Sequence, residues 1–159
     1  DKGSPAGRPE IILADGRLAI ERINDKKFDL IALDAFSADA IPTHLLTVEA
    51  IEAYRARLKD GGVLLFNISN RYANLAPVLA RNAQESGLVA YVRHDRKVRP
   101  VEDNGTHFEK DSRWLVILDK STNAAALLEK GWVAPDTTGV KAWTDDYTNL
   151  AATLSIFGR

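Results

Sequence analysis

The sequence contains no cysteine, which excludes disulfides, thiolate metal sites and a cysteine nucleophile together. That absence carries little about compartment, and the cytoplasm is the simplest expectation. Methionine is absent as well, and the first nine residues, Asp1 to Pro9, are rich in glycine, proline and charge. They read as a linker or loop leading into the first element. No secretory pattern opens the chain, and no apolar run approaches the roughly 20 residues of a membrane-spanning helix. Charge of one sign is lacking too. The net charge is -1, so no global field favours nucleic acid or an anionic membrane as partner. Neither the dinucleotide fingerprint G-x-G-x-x-G nor the phosphate loop G-x-x-x-x-G-K-[ST] occurs, and there is no G-x-S-x-G elbow. The three histidines, His44, His94 and His107, are scattered without metal-ligand spacing. They read as surface or loop residues, and no metal is expected.

What is present suffices for one domain. At 159 residues the chain can bury a substantial core, and we take 1–159 as a single unit. Glu10 to Ala14 reads as a short buried strand, followed at once by Asp15-Gly16. From Arg17 the apolar spacing becomes helical, with Leu18, Ala19, Ile20 and Ile23 on one face. Phe28 to Leu33 is a second strand of the kind buried on both faces, and it stops at Asp34. A loop containing Ser37, Asp39 and Pro42 follows. Thr47 then caps a helix with Val48, Ile51, Ala53, Tyr54 and Leu58 inward and Glu49, Glu52, Arg55, Arg57 and Lys59 toward water.

Asp60-Gly61-Gly62 reads as the end of that helix, and Val63 to Ile68 as a third strand. A helix from about Leu75 to Ser86 tolerates Pro77 in its first turn. Leu88 to Val92 and Trp114 to Leu118 are further strands, separated by a charged loop from Arg93 to Arg113. A short helix from Thr122 to Lys130 and a short strand over Lys141 to Thr144 follow. Asp145-Asp146-Tyr147 then opens a terminal helix carrying Leu150, Thr153, Leu154 and Phe157. Alternation of strand and helix gives an α/β class with a mostly parallel sheet and helices on both faces.

In an open parallel sheet, ligands bind at the carboxyl ends of the strands. Asp15, Asp34 and Asp39 follow predicted strands and so converge on one rim. A carboxylate-rich rim suits a cationic ligand, such as a sulfonium nucleoside or a polyamine, and suits a phosphorylated one poorly. For Asp34 alone, ending a turn is the ordinary role of aspartate. For Asp145 and Asp146, capping and the helix dipole explain two acids at a helix start. Packing is the ordinary fate of a tyrosine such as Tyr72.

Several blocks taken together resemble the spermidine synthase-like proteins. They are Asp15-Gly16-Arg17, Phe28-Asp29-Leu30-Ile31-Ala32-Leu33-Asp34-Ala35-Phe36-Ser37, and Pro42-Thr43-His44-Leu45-Leu46-Thr47-Val48-Glu49-Ala50. Leu58-Lys59-Asp60-Gly61-Gly62-Val63-Leu64, Asn67-Ile68-Ser69-Asn70-Arg71-Tyr72 and Trp143-Thr144-Asp145-Asp146-Tyr147-Thr148-Asn149-Leu150 continue the likeness over nearly the whole chain. It looks closest to the bacterial branch often fused behind a multi-pass membrane region.

The resemblance implies a Rossmann-like class I methyltransferase fold and an S-adenosyl cofactor, either S-adenosylmethionine or its decarboxylated form. It implies that Asp15 and Gly16 hold the adenine side, and that Asp34 and Ala35 lie beside the sulfonium. The implied reaction is displacement at the carbon next to sulfur by an amine, with Asp34 and Asp39 as catalytic acids. Ser37, Tyr72, Asp145 and Asp146 are the implied substrate-binding set, and a polyamine-like cation the implied substrate. True spermidine synthases carry a second acid three residues after the first. Ser37 stands there in this sequence, and Asp39 takes that role only on a longer, bulged loop.

The matching residues begin at the family's third strand. Nine residues before Glu10 cannot hold a β-α-β unit of roughly 40 residues. The expectation is therefore an N-terminally truncated domain without its glycine-rich cofactor loop. Its open sheet edge invites pairing into a homo-oligomer. Two functions stay open: an S-adenosyl-dependent transferase that alkylates an amine, and a catalytically inactive Rossmann-like module acting through oligomerisation or binding.

Overall fold

The computed structural model describes residues 10–25, 27–35, 41–70, 72–95 and 112–154. Ser37 and Asp39, the 1–9 linker and the stretch 96–111 of the charged loop lie outside them. Helix α1 spans Gly16–Arg22, β1 Phe28–Leu33, α2 Val48–Arg55 and β2 Leu58–Asn67. Helix α3 spans Ala76–Glu85, β3 Leu88–Asp95, β4 Ser112–Asp119 and α4 Ala125–Glu129. Short 3-10 turns cover Thr43–Leu45 and Leu150–Thr153.

The class is α/β, and the strands form one sheet in the order β1-β2-β4-β3. Its pairing is mixed where the sequence suggested a mostly parallel sheet. β1 and β2 are parallel, whereas β4 runs antiparallel to both β2 and β3. The reason is connectivity. A helix joins β1 to β2 and permits a parallel crossover, while β3 and β4 follow one another with no helix among the described residues between them.

The core lies on one face of this sheet, and side-chain alternation explains its membership. Leu64 and Phe66 on β2 pair in register with Ile117 and Leu115 on β4, and all four are buried. Leu88 and Ala90 on β3 and Ile31 on β1 join the same cluster. Helix α2 covers that face with Ala50, Ile51 and Tyr54, and α3 with Val78, Leu79, Asn82 and Ala83. Removing a side chain such as Leu64 from water is worth roughly 1.5–3 kcal/mol. On the opposite face of β1 the pattern differs. Leu30 is 50% exposed, and Ala32 is exposed as well.

Several local readings are corrected. Glu10 to Ala14 forms no strand, and Ile11, Ile12 and Leu13 are exposed. An apolar run becomes a strand only where a neighbour completes its ladder, and no described strand does so here. Gly61 and Gly62 do not end a helix. They lie inside β2, where two residue steps on β1 (Phe28 to Leu30) face five on β2 (Leu58 to Val63). This is a bulge, and it requires glycine. Gly61 has φ +74, and a Cβ on Gly62 would fall 2.9 Å from the Phe28 carbonyl oxygen.

Lys141 to Thr144 forms no strand, only a single bridge from Thr144 to Tyr147. Asp145 starts no α-helix either, because its side chain and its amide are both committed elsewhere in the fold.

Candidate functional site

The carboxyl ends of β1 and β2 lie side by side, since Leu33 pairs with Phe66. The next residue on each strand is therefore polar and adjacent. Asn67 Nδ2 donates to Asp34 Oδ1 at 2.9 Å. The amide is itself held, because Asn67 Oδ1 accepts from Ser69 Oγ at 2.6 Å and from the Ser69 amide at 3.1 Å. Asp34 is exposed, so one carboxylate oxygen is oriented by Asn67 while the group remains open to solvent.

Behind Asp34 lies a pocket of about 240 Å³, lined by Gly16 and Ile20 of α1, Ile31 to Leu33 of β1, Asp34, Ala35, Leu45 and Tyr54. Its volume falls below the ~300–1,000 Å³ of an ordinary small-molecule site. The wall is mostly apolar. Tyr54 is buried, and its hydroxyl donates to the Leu45 carbonyl at 3.3 Å. Burial pushes that phenol up, so it stays a neutral wall. Among the expected cofactor residues, Gly16, Asp34 and Ala35 are thus brought to one cavity from two separate segments.

Asp15, immediately before Gly16, caps α1. Its Oδ1 accepts from the Leu18 amide at 3.0 Å, and its Oδ2 lies 2.9 Å from His44 Nε2. The Leu18 amide, followed by His44, holds the Asp15 carboxyl below the usual carboxylate value. His44 reads from sequence as a loop histidine, and the structure sets it against an expected site acid.

The expected substrate-binding residues are spread more widely. Tyr72 is 55% exposed and follows Asn70, whose side chain accepts from the Tyr72 amide at 2.9 Å. Asp146 is exposed in the turn between Thr144 and Tyr147. Asp145 is engaged by protein groups. Arg17 Nη1 and Nη2 donate to its two oxygens at 2.7 and 2.8 Å. Thr47 Oγ1 adds a bond to Oδ1 at 2.8 Å. Arg17, then Thr47, holds the Asp145 carboxyl low. The Asp145 amide donates to Glu49 Oε2 at 3.0 Å, so Glu49 does not simply face water.

Sequence reasoning passed over Arg17, His44, Thr47 and Asn67 as site-forming residues. All four stand inside the blocks that carry the resemblance, and that proximity is the available signal. Nothing in a single sequence signals a pairing between residues 128 positions apart. Among the described residues no group of three or more His, Asp or Glu side chains is arranged to hold a metal. No described helix is long and apolar enough to cross a membrane.

No family model matches the chain. A polyamine aminopropyltransferase from Vibrio vulnificus (strain CMCP6) is 35% identical over 65 residues, 40% of this chain and 22% of that protein. The crystal structure of a probable spermidine synthase from Corynebacterium glutamicum ATCC 13032 superposes over 89% of this chain and 56% of its own. The TM-score is 0.55 and the identity 19%. The crystal structure of MNMC2 from Aquifex aeolicus matches 70% of this chain and 30% of its own, with TM-score 0.46 and 18% identity. The chain thus spans about half of that Corynebacterium structure, and the sequence match about a fifth of the Vibrio protein. The resemblance read from the motifs is met by the Vibrio sequence match and the Corynebacterium superposition, and the fold is Rossmann-like α/β.

Proposed function

We propose that this chain carries the acidic half of a spermidine synthase-like transferase site, one that binds an S-adenosyl nucleoside and alkylates an amine. The supporting observation is the pocket that Gly16, Asp34 and Ala35 share beneath the strand ends. An apolar wall suits a purine ring, and the Asp34 carboxylate at its rim suits a sulfonium and an amine. Gly16, which lines the pocket, and its neighbour Asp15 are assigned to the adenine, and Asp34 and Ala35, which also line it, to the sulfur. When bound, the cofactor supplies an electrophilic carbon activated by positive sulfur. The chain's own part is to orient the amine and take its proton. A protonated amine cannot attack, and a carboxylate beside it both aligns the nitrogen and accepts the proton. Asp34, oriented by Asn67, is assigned that position, with Asp39 as a second acid. Ser37, Tyr72 and Asp146 are assigned to the acceptor, a polyamine-like cation.

Calorimetric titration with decarboxylated S-adenosylmethionine, S-adenosylmethionine and methylthioadenosine tests this reading. Saturable binding of one of them, weakened by Asp34→Asn, is the expected result. No heat with any of the three overturns it for this chain.

A second reading is favoured by a different observation. Among the described residues β1 is an end strand of the sheet, and Leu30 on it is half exposed; Ile11 and Leu13, earlier in the chain, are exposed too. An open apolar edge of this kind pairs readily with another chain. On that reading the chain is a binding module that self-associates without catalysis. Light scattering would then give a defined oligomer, and Leu30→Lys would shift it to monomer.

A further inference from the structure

Helix α1 carries Asp15 as its cap, yet none of its residues is buried. Ile20 alone among them packs, half-buried, against the core cluster. Polar contacts do the rest. Past the end of α2, Arg57 donates to the Ile20 carbonyl at 3.3 Å, the Glu21 carbonyl at 3.0 Å and Asn24 Oδ1 at 3.0 Å. At the start of α1 the contact is more demanding. The Arg17 side chain is 15% exposed and reaches across to Asp145 with both terminal nitrogens. Arg17 Nη1 also donates to the His44 carbonyl at 3.2 Å, on the residue whose ring meets Asp15.

Asp145 is in turn fixed from the core. Asn82 is fully buried and accepts from the Trp143 amide at 2.9 Å, while its Nδ2 donates to the Leu46 carbonyl at 2.7 Å. The Val48 amide donates to the Trp143 carbonyl at 2.9 Å. Segment 143–147 is therefore pinned to the start of α2 and to α3. Asp145 is its outward hook, and Arg17 is the group it catches. Both oxygens of Asp145 are committed in this way. A planar guanidinium meeting a carboxylate through two bonds fixes angle as well as distance, which an ammonium does not do.

We infer that Arg17 and Asp145 are positioning residues for Asp15, seating α1 so that Gly16 lines the pocket and the cap carboxylate beside it is held in place against His44. The inference rests on the nucleoside reading of that pocket, and it gives Asp145 a role through Arg17, not on the acceptor. A nucleoside that needs Asp15 in place then loses affinity whenever the pair is broken, although neither partner touches it.

The test uses the whole 159-residue chain as Arg17→Gln, Arg17→Lys, Asp145→Asn and the Arg17→Gln/Asp145→Asn double variant. Hydrogen exchange in the ligand-free protein is the first readout. Amides of residues 18–22 are expected to exchange at least about tenfold faster in both single charge-removing variants, while β2 and β4 are unchanged. Unchanged exchange in α1 overturns the inference, whatever binds. Methylthioadenosine affinity, measured well below the melting temperature, is the second readout. Each single loss is expected to weaken it about tenfold, the order of one charged hydrogen-bonded pair. The double variant should be no weaker than the worse single one, and Arg17→Lys should fall between. Losses that multiply in the double variant would mean that Asp145 meets the ligand directly, which overturns the positioning role. Absence of nucleoside binding in the unaltered chain defeats the reading of the pocket, and the exchange result then decides the seating of α1 alone.

Discussion

Replacing Asn82 by alanine removes two hydrogen bonds from a place where water cannot substitute. The Leu46 carbonyl would lose its donor and the Trp143 amide its acceptor. Leu46 is 0% exposed and Trp143 2%. A buried polar group left unpaired costs about 1–3 kcal/mol, and two are left here. The deleted side chain adds a small cavity on the α3 face that packs against the sheet. The expected loss is about 3–5 kcal/mol, a large share of the ~5–15 kcal/mol that holds a domain together. Asn82→Leu separates the two causes, because it refills most of the volume while leaving both groups unpaired. It should recover no more than about 1 kcal/mol. Urea denaturation followed by far-UV circular dichroism gives both numbers, with the slope checked for constancy. A loss below about 1 kcal/mol for Asn82→Ala, or full recovery in Asn82→Leu, would refute the view that segment 143–147 is pinned through this side chain.

Gly62→Ala should destabilise the chain by about 1–3 kcal/mol, because its Cβ would meet the Phe28 and Lys59 carbonyl oxygens, which are backbone and cannot swing away; an unchanged urea midpoint would contradict the bulge. Asp34→Asn should alter stability by less than about 1 kcal/mol, since the group is exposed and, among the described residues, held by the Asn67 amide contact; a large loss of stability would assign Asp34 a folding role. The Asp145 carboxyl is held low in the folded chain, chiefly by Arg17. Its contribution is therefore complete above its unfolded value, near pH 4, and is lost as pH falls through the lower folded value. Acid titration of Asp145→Asn should accordingly show a shallower fall in stability below about pH 4 than the unaltered chain. Parallel curves would exclude the ion pair as the source.

The elements with strong local patterns were legible. The apolar runs form β1, β2 and β4 where their spacing sets them, although β1 is buried on one face only, with Leu30 and Ala32 exposed on the other; Thr47 caps α2 as its position suggests, accepting from the Ala50 amide. Pro77 sits in the first turn of α3, where a missing amide is harmless. What failed depended on partners. Glu10 to Ala14 has strand composition and no ladder. Lys141 to Thr144 has an aromatic and a β-branched residue, yet Trp143 is used as a plug bonded to Asn82. Asp145-Asp146 looks like a helix start, and a bidentate arginine across the molecule outcompetes that local preference. In the site, Asp34 was legible because a strand end is a local feature. Its orientation by Asn67 was not, since it depends on the register of two strands.

The candidate pocket and the open apolar surface are built on the same strand, and this couples the two functional readings. Ile31 turns into the core cluster while Leu30, one residue away, faces outward at half exposure. Leu33, Asp34 and Ala35 then line the pocket at the strand's carboxyl end. β1 has a ladder partner on the β2 side alone among the described residues. A strand added to its other edge would continue the sheet about 4.8 Å away, bury Leu30 and end beside Asp34. Such a partner would enlarge a pocket that is now smaller than ordinary ligand sites. Association at this edge and nucleoside affinity should therefore rise and fall together, by linkage, wherever the added strand borders the pocket. If association instead leaves affinity untouched, the partner sits on the outer face of β1 and not along its edge.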